Sequence, residues 1–342
     1  MKERALFIKH LSVMLRSGLT LTEALSITEE SARGRFRGVL NSCRLAVERG
    51  RTLSDALGEH PHVFPPLIVQ TVRAGEQSGT LSENLENIAV ELEKERELLA
   101  KVKGAMMYPM VVLAAAVLLG LGVAFFILPK IVPLFAGLRV ELPLSTRVLI
   151  RFSHIVDTYG AWLFFGVIAG IAILVGALRS SFLRPLVHAL LLRLPIIGPI
   201  SHGSNLVRTA RTLALLLKSG LTVDESLRIT RDAVGNVHYR RALDTVLEHV
   251  AKGAKLSESL AAHHFLFPVI FTRMVRVGEE AGRFEETLFY LANFYESEVD
   301  NATKSLATTL EPVLLLLIGL LVGGLALAII TPIYEITGNI QR

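Results

Sequence analysis

The sequence predicts an all-α membrane protein: two homologous helical bundles of about six helices each, plus three transmembrane helices. Three observations predict it. Gly104–Pro129, Thr158–Leu178 and Pro312–Tyr334 contain no Asp, Glu, Lys or Arg and run for 26, 21 and 23 residues. A helix needs about 20 apolar residues to cross a hydrocarbon core roughly 30 Å thick. The polar remainder carries a long internal repeat, and nowhere in it do β-branched residues alternate with period two, so helices are expected throughout.

The expected order is a cytoplasmic helical domain (1–103), a first span (104–129), a periplasmic loop (130–157), a second span (158–178), a second cytoplasmic domain repeating the first (179–311), a third span (312–334) and a short periplasmic tail (335–342). No signal-peptide pattern opens the sequence, so residues 1–103 are expected to stay on the side of synthesis. Both domains then share one compartment. Cys43 is the only cysteine, so no internal disulfide forms. The formal charge is +5, yet no Lys/Arg cluster alternates with aromatics, which argues against nucleic acid and for basic faces beside a membrane.

The repeat organises the chain. Ser17-Gly18-Leu19-Thr20-Leu21-Thr22-Glu23-Ala24-Leu25 returns 202 residues later as Ser219-Gly220-Leu221-Thr222-Val223-Asp224-Glu225-Ser226-Leu227, with six of nine residues identical. At an offset of 203, Phe64-Pro65 matches Phe267-Pro268, Gly75-Glu76-Gln77-Ser78-Gly79 matches Gly278-Glu279-Glu280-Ala281-Gly282, and Pro109 matches Pro312. One unit spans about 5–134 and the other about 207–337, leaving the middle span unpaired.

Within one unit, Leu6, His10, Val13, Met14 and Ser17 recur at helical spacing, with apolar types mainly on that side, as in a first helix, which Gly18 ends. Thr20 with Glu23 is a capping-box pattern, repeated by Thr222 with Glu225. Thr52 with Asp55 is another helix start. Pro65-Pro66 opens a helix that Gly79 ends. From Leu81 no Gly or Pro intervenes before Gly104, so this helix is expected to run almost directly into the first span, with Glu97 paired to Lys101 one turn on.

Candidate sites are few. Gly75-Glu76-x-x-Gly79 and its twin Gly278-Glu279-x-x-Gly282 read either as tight helix-to-helix turns or as a partner surface. A phosphate loop is disfavoured, because no Gly-x-x-x-x-Gly-Lys-Ser/Thr occurs and no strand precedes either copy. His60-Pro61-His62 and His263-His264 lack the cysteines or His-Glu-x-x-His helix of zinc sites. No Gly-x-Ser-x-Gly elbow is present. The spans hold no Lys or Asp, which disfavours intramembrane proteolysis and an ion or proton pathway. No catalytic residue, metal or cofactor is expected. Tyr108-Pro109 and Glu311-Pro312 stand at the membrane entry of equivalent spans. Proline there reads as a first-turn residue, and Glu311 as a complement to a helix N-terminus.

The ordered set of two Ser-Gly-Leu-Thr-x-x-Glu segments, two Phe-Pro starts, two Gly-Glu-x-x-Gly turns and Tyr-Pro or Glu-Pro at a span resembles the inner-membrane platform family of type II secretion systems and type IV pilus machines. Glu141-Leu142-Pro143-Leu144-Ser145-Thr146-Arg147 is similar to that family's Leu-Pro-x-x-Thr segment between the first two spans. The resemblance implies a multi-pass protein of the bacterial inner membrane with its N-terminus in the cytoplasm. It implies a non-enzymatic part that couples a hexameric ATPase to the lifting and polymerisation of pilin or pseudopilin subunits. Other inner-membrane assembly proteins, membrane lipid and further copies of the chain are the remaining implied partners. The competing expectation is a small-substrate transporter or channel built on the duplicated unit.

Overall fold

The computed structural model describes residues 2–122, 158–159, 165–166, 169–170, 176, 183–195 and 197–340. Every secondary-structure element among the described residues is a helix. In the first repeat these are α1 (Lys2–Arg16), α2 (Leu21–Ser31), α3 (Gly34–Glu48), α4 (Leu53–Gly58), α5 (Pro66–Ser78) and α6 (Leu81–Gly122). Then follow α7 (Arg184–Arg193), α8 (Gly198–Lys218), α9 (Val223–Ala233), α10 (Val237–Ala251), α11 (Leu256–Ala261), α12 (Val269–Ala281) and α13 (Phe284–Ile340).

Helices α8 to α13 repeat α1 to α6. Their shared register comes from shared punctuation. Thr20 and Thr222 each accept from the backbone N–H three residues on, while Glu23 and Glu225 reach back to the cap N–H, so both capping boxes form. Gly18, Gly79, Gly220 and Gly282 all take positive φ at helix ends, where a side chain would be strained. The offset moves from 202 to 203 in the connection after α2. Ala32-Arg33 spans it in the first repeat; Val234-Gly235-Asn236 spans it in the second, and Asn236 caps α10 through the His238 N–H.

Residues Met1–Val102 and Pro185–Ala302 form one compact unit; Lys103–Arg184 and Thr303–Arg342 form another. The first unit holds two apolar cores. One gathers Phe7, Ile8, Leu11, Leu25, Leu40, Leu57, Phe64, Ile68 and Leu85, with Phe7, Phe36 and Phe64 ring to ring. The other gathers Leu206, Leu213, Leu227, Tyr239, Leu243, Phe267, Phe271 and Leu291. The cores exchange residues: Leu215 of α8 lies in the first, and Leu98 of α6 in the second. Of α1, Phe7, Ile8 and Leu11 are buried in the core and Met14 packs against it, whereas Leu6 and Val13 are exposed.

Helices α6 and α13 are 42 and 57 residues long. Over Leu81–Gly120 and Phe284–Gly324 they are long and apolar enough to cross a membrane, and only 6% and 12% of their apolar windows are buried in the protein. A helix serving as a soluble core would hide that surface, since water charges about 25 cal/mol for each apolar Å². The bent pair α7–α8, at 110°, would be a third candidate by composition. Yet α8 buries Leu206, Ala210, Leu213 and Ala214 inside the bundle and carries Arg208 and Arg211, so it is a core helix of the polar unit. The span expected at 158–178 lies mostly outside the described residues, and the loop expected at 130–157 wholly so.

Two expectations at the membrane entry are corrected. Pro109 lies inside α6, and Pro312 lies far inside α13 with Glu311 beside it, so neither proline starts a helix and Glu311 meets no helix N-terminus. Proline in a helix interior forgoes one backbone hydrogen bond. Membrane helices accept this because neighbouring groups take up the freed carbonyl.

Candidate functional site

Each residue of the two Gly-Glu-x-x-Gly motifs has a separate local task. A Cβ on Gly75 would stand 2.9 Å from the Leu81 Cα and 3.0 Å from Asn84 Nδ2; on Gly278 it would stand 2.8 Å from Thr287 Oγ1. Glycine therefore lets α5 and α12 lie tightly against the first turns of α6 and α13. The Glu76 carboxylate accepts from the Leu53 N–H at 2.5 Å and the Ser54 N–H at 3.1 Å, the first donors of α4. Glu279 repeats this on α11, accepting from Leu256 N–H at 2.9 Å, Ser257 N–H at 3.2 Å and Ser257 Oγ at 2.6 Å. A carboxylate on free helix N–H groups forms charge-assisted bonds worth about 1.5–3 kcal/mol. Gly79 and Gly282 supply the left-handed step that stops α5 and α12.

Tyr108 is exposed and Pro109 buried on α6; Glu311 and Pro312 are both exposed on α13. The motif residues belong to the polar unit and the entry residues to the other. Of the histidines, His60 Nε2 sits 3.3 Å from Ser42 Oγ, and His263 and His264 line a cavity of about 330 Å³ with Arg193 and His238. Burial and the neighbouring His249 hold His263 below the usual imidazole range. No group of three His, Cys, Asp or Glu side chains poised for a metal occurs among the described residues.

Sequence reasoning missed a buried charge cluster centred on Arg211. Arg211 on α8 is 2% exposed, with Glu91 of α6 at 3.3 Å and Glu296 of α13 at 2.5 Å. Asn293 Oδ1 accepts from the same guanidinium at 3.4 Å. Around this centre Arg208 pairs with Glu95, Lys94 donates to Asn293 at 3.1 Å, and Lys101 reaches Asp300 at 3.6 Å. Burial pushes the Glu91 carboxyl up to about 7, against the pull of Arg211. Removing the carboxylate from water costs more than the guanidinium returns, so its neutral form is favoured. The signal was present in the repeat. Lys9 aligns with Arg211 and Glu93 with Glu296, and Lys9–Glu93 is itself an ion pair of 3.0 Å, but an exposed one.

The fold and this cluster define a class: a duplicated all-helical membrane protein whose two repeats are pinned by buried charge, with each repeat's last helix apolar enough to cross a bilayer. The sequence model of the family described as "Type II secretion system (T2SS), protein F" matches twice, at residues 7–129 and 209–332. The chain belongs to that family. The second match is offset by 202 at its start and 203 at its end, the register of the repeat itself. Among curated relatives, a type IV pilus assembly protein PilC of Thermus thermophilus is 38% identical, covering 100% of this chain and 84% of its own length. A PilC of Myxococcus xanthus is 34% identical over 99% of this chain and 82% of its own length. A type II secretion system protein F of Vibrio cholerae is 31% identical over 99% of this chain and 83% of its own. The chain is thus similar to proteins of both secretion and pilus assembly, and a secretion or pilus platform role follows from family and apolar helices together.

Proposed function

We propose that the chain is the inner-membrane platform that couples a cytoplasmic hexameric ATPase to the extraction and polymerisation of pilin or pseudopilin subunits. Its N-terminus and both bundles lie in the cytoplasm in this reading, and other inner-membrane assembly proteins hold it in the machine. The observation that carries the proposal is the build of α6 and α13. Each supplies a carboxylate to the buried Arg211 centre and continues as one helix into an apolar stretch. A push on either bundle is then shared by both helices, because separating them strips a buried cation of its partners. The sequence contains no phosphate-loop motif, in keeping with a part whose energy arrives from another protein.

The test is genetic and biochemical. A deletion strain should lose piliation or secretion, and affinity-purified full chain from membranes should carry a hexameric ATPase with it. Normal piliation and secretion in the deletion strain would overturn the reading. So would reporter fusions placing residues 50 and 250 on opposite sides of the bilayer. Ion conductance in reconstituted vesicles would favour the channel expectation instead.

A further inference from the structure

Helix α7 lies outside the repeat, and the platform reading makes no use of it. Five residues separate Leu178, the end of a charge-free stretch, from Arg184, where α7 begins. A chain of that length spans at most about 20 Å, so α7 stays close to the point where that stretch meets the bilayer surface. No Asp or Glu occurs between Asp157 and Asp224, whereas Arg179, Arg184 and Arg193 all fall in that interval. Basic residues beside a span are drawn to anionic lipid. The helix itself has two sides. Leu192 is buried in the second repeat's core. The Val237 N–H donates to His188 Nδ1 at 3.1 Å and His238 Nε2 donates to the Pro185 carbonyl at 2.9 Å, which ties α7 to the start of α10. On the other side Leu186 and Leu190 are 68% and 58% exposed. With Arg193 they follow at i, i+4 and i+7, one face of a helix. Exposed leucines flanked by Arg184 and Arg193 suit a helix lying in the interface plane, its leucines among acyl chains and its guanidiniums at headgroup level.

Arg193 also lines the cavity of about 330 Å³, together with His263, His264 and Phe265 from the segment after α11. No carboxylate is among the described residues that line it. Arg208 and Arg211 have glutamate partners, but Arg193 has no ion-pair partner among the described residues. His238 is committed to Pro185, so Arg193, His263 and His264 are the donors left for an occupant. Burial keeps His263 neutral at pH 7, and a neutral imidazole still donates one N–H. Three donors without a carboxylate call for an anion, and a guanidinium fork fits phosphate oxygens. A zwitterionic headgroup would bring an ammonium that nothing here neutralises. Phe265, in the same lining, is 55% exposed and adds apolar surface.

We propose that α7 lies in the membrane interface and that its cavity holds the headgroup phosphate of one anionic phospholipid, with Arg193, His263 and His264 as donors and Leu186, Leu190 and Phe265 against the acyl chains. The proposal rests on the membrane part of the platform reading and on nothing said of an ATPase or of pilins. The two fail differently. Chain that leaves the membrane without detergent defeats the membrane reading itself, whereas chain that needs detergent and shows no lipid preference defeats only this proposal.

The test is native mass spectrometry of the full chain in neutral detergent, with phosphatidylglycerol or phosphatidylcholine added. The parent should retain one phosphatidylglycerol, with a preference of about tenfold or more over phosphatidylcholine. Arg193→Gln and His264→Gln, both at exposed positions, should lose the preference while melting like the parent. Arg283→Gln, an exposed arginine on another element, should keep it. A large excess of inorganic phosphate should leave the lipid bound. A second arm reads the helix. Cys43 is buried with its thiol pushed up to about 12, so it stays silent and an introduced cysteine is labelled alone. A fluorophore on Leu190→Cys should be quenched by doxyl-labelled lipid when the chain sits in nanodiscs. Equal retention of the two lipids overturns the proposal, as does an Arg193→Gln chain that melts like the parent and keeps its phosphatidylglycerol. Displacement by inorganic phosphate overturns it in favour of a soluble phosphate. A Leu190 label with water-like emission and no quenching overturns it as well.

Discussion

Replacing Arg211 by methionine keeps the side-chain volume and removes the charge, which leaves Glu91 and Glu296 buried with no cation between them. Both carboxylates are mostly covered, at 16% and 17% exposure. Breaking a buried ion pair from one side costs about 3–5 kcal/mol, because the orphaned partner keeps its desolvation penalty. The repeat supplies an internal control. Lys9 and Glu93 make the equivalent pair at 3.0 Å with side chains 55% and 48% exposed, and exposed pairs contribute below about 1 kcal/mol. For a folded unit of this size, 1 kcal/mol moves the melting midpoint by about 2–4 °C. Arg211→Met should therefore lower it by about 6–20 °C and Lys9→Met by less than about 4 °C. The readout is circular dichroism on the full chain in detergent. Adding Glu91→Gln and Glu296→Gln to Arg211→Met should recover part of the loss, since the damage lies in the unpaired carboxylates. Equal shifts for Arg211→Met and Lys9→Met would refute the argument that burial sets the energy of this pair.

Two further outcomes follow from single side chains. Gly75→Ala should destabilise by about 1–3 kcal/mol, because the new Cβ meets the α6 backbone at 2.9 Å; Gly38→Ala, in α3 with nothing within 4 Å, should stabilise by about 0.5–1 kcal/mol. Shifts of the same sign in the two melts would refute the close-approach reading. Glu91 ionises near 4.5 when free and at about 7 when folded. The folded state therefore keeps a proton that the unfolded chain releases, and this stability is full below pH 4.5 and lost as pH rises through about 7. Relative to wild type, Glu91→Gln should be neutral near pH 4.5 and gain on the order of 3 kcal/mol by pH 8. A difference that stays flat across that window would defeat the assignment.

What the sequence made legible is what local chemistry decides. Capping boxes, glycine stops and the repeat register need only a few neighbouring residues, and the structure shows each of them. What stayed hidden depends on which copy of a repeated surface is covered. The apolar periodicity of α1 is real on two sides: Phe7, Ile8 and Leu11 on one, Leu6 and Val13 on the other. Periodicity reports an apolar stripe but not its occupant. The charge pair has the same ambiguity. Lys9–Glu93 and Arg211–Glu296 are the same residue classes at the same register, and only the arrival of Glu91 from the other repeat turns one of them into a buried centre. Arg208, Arg211 and Lys218 of α8 pair with α6 of the other repeat, whereas Lys9 and Arg16 of the equivalent α1 pair within their own. Equivalent residues then meet protein in one repeat and open surface in the other, and no reading of either segment alone distinguishes the two.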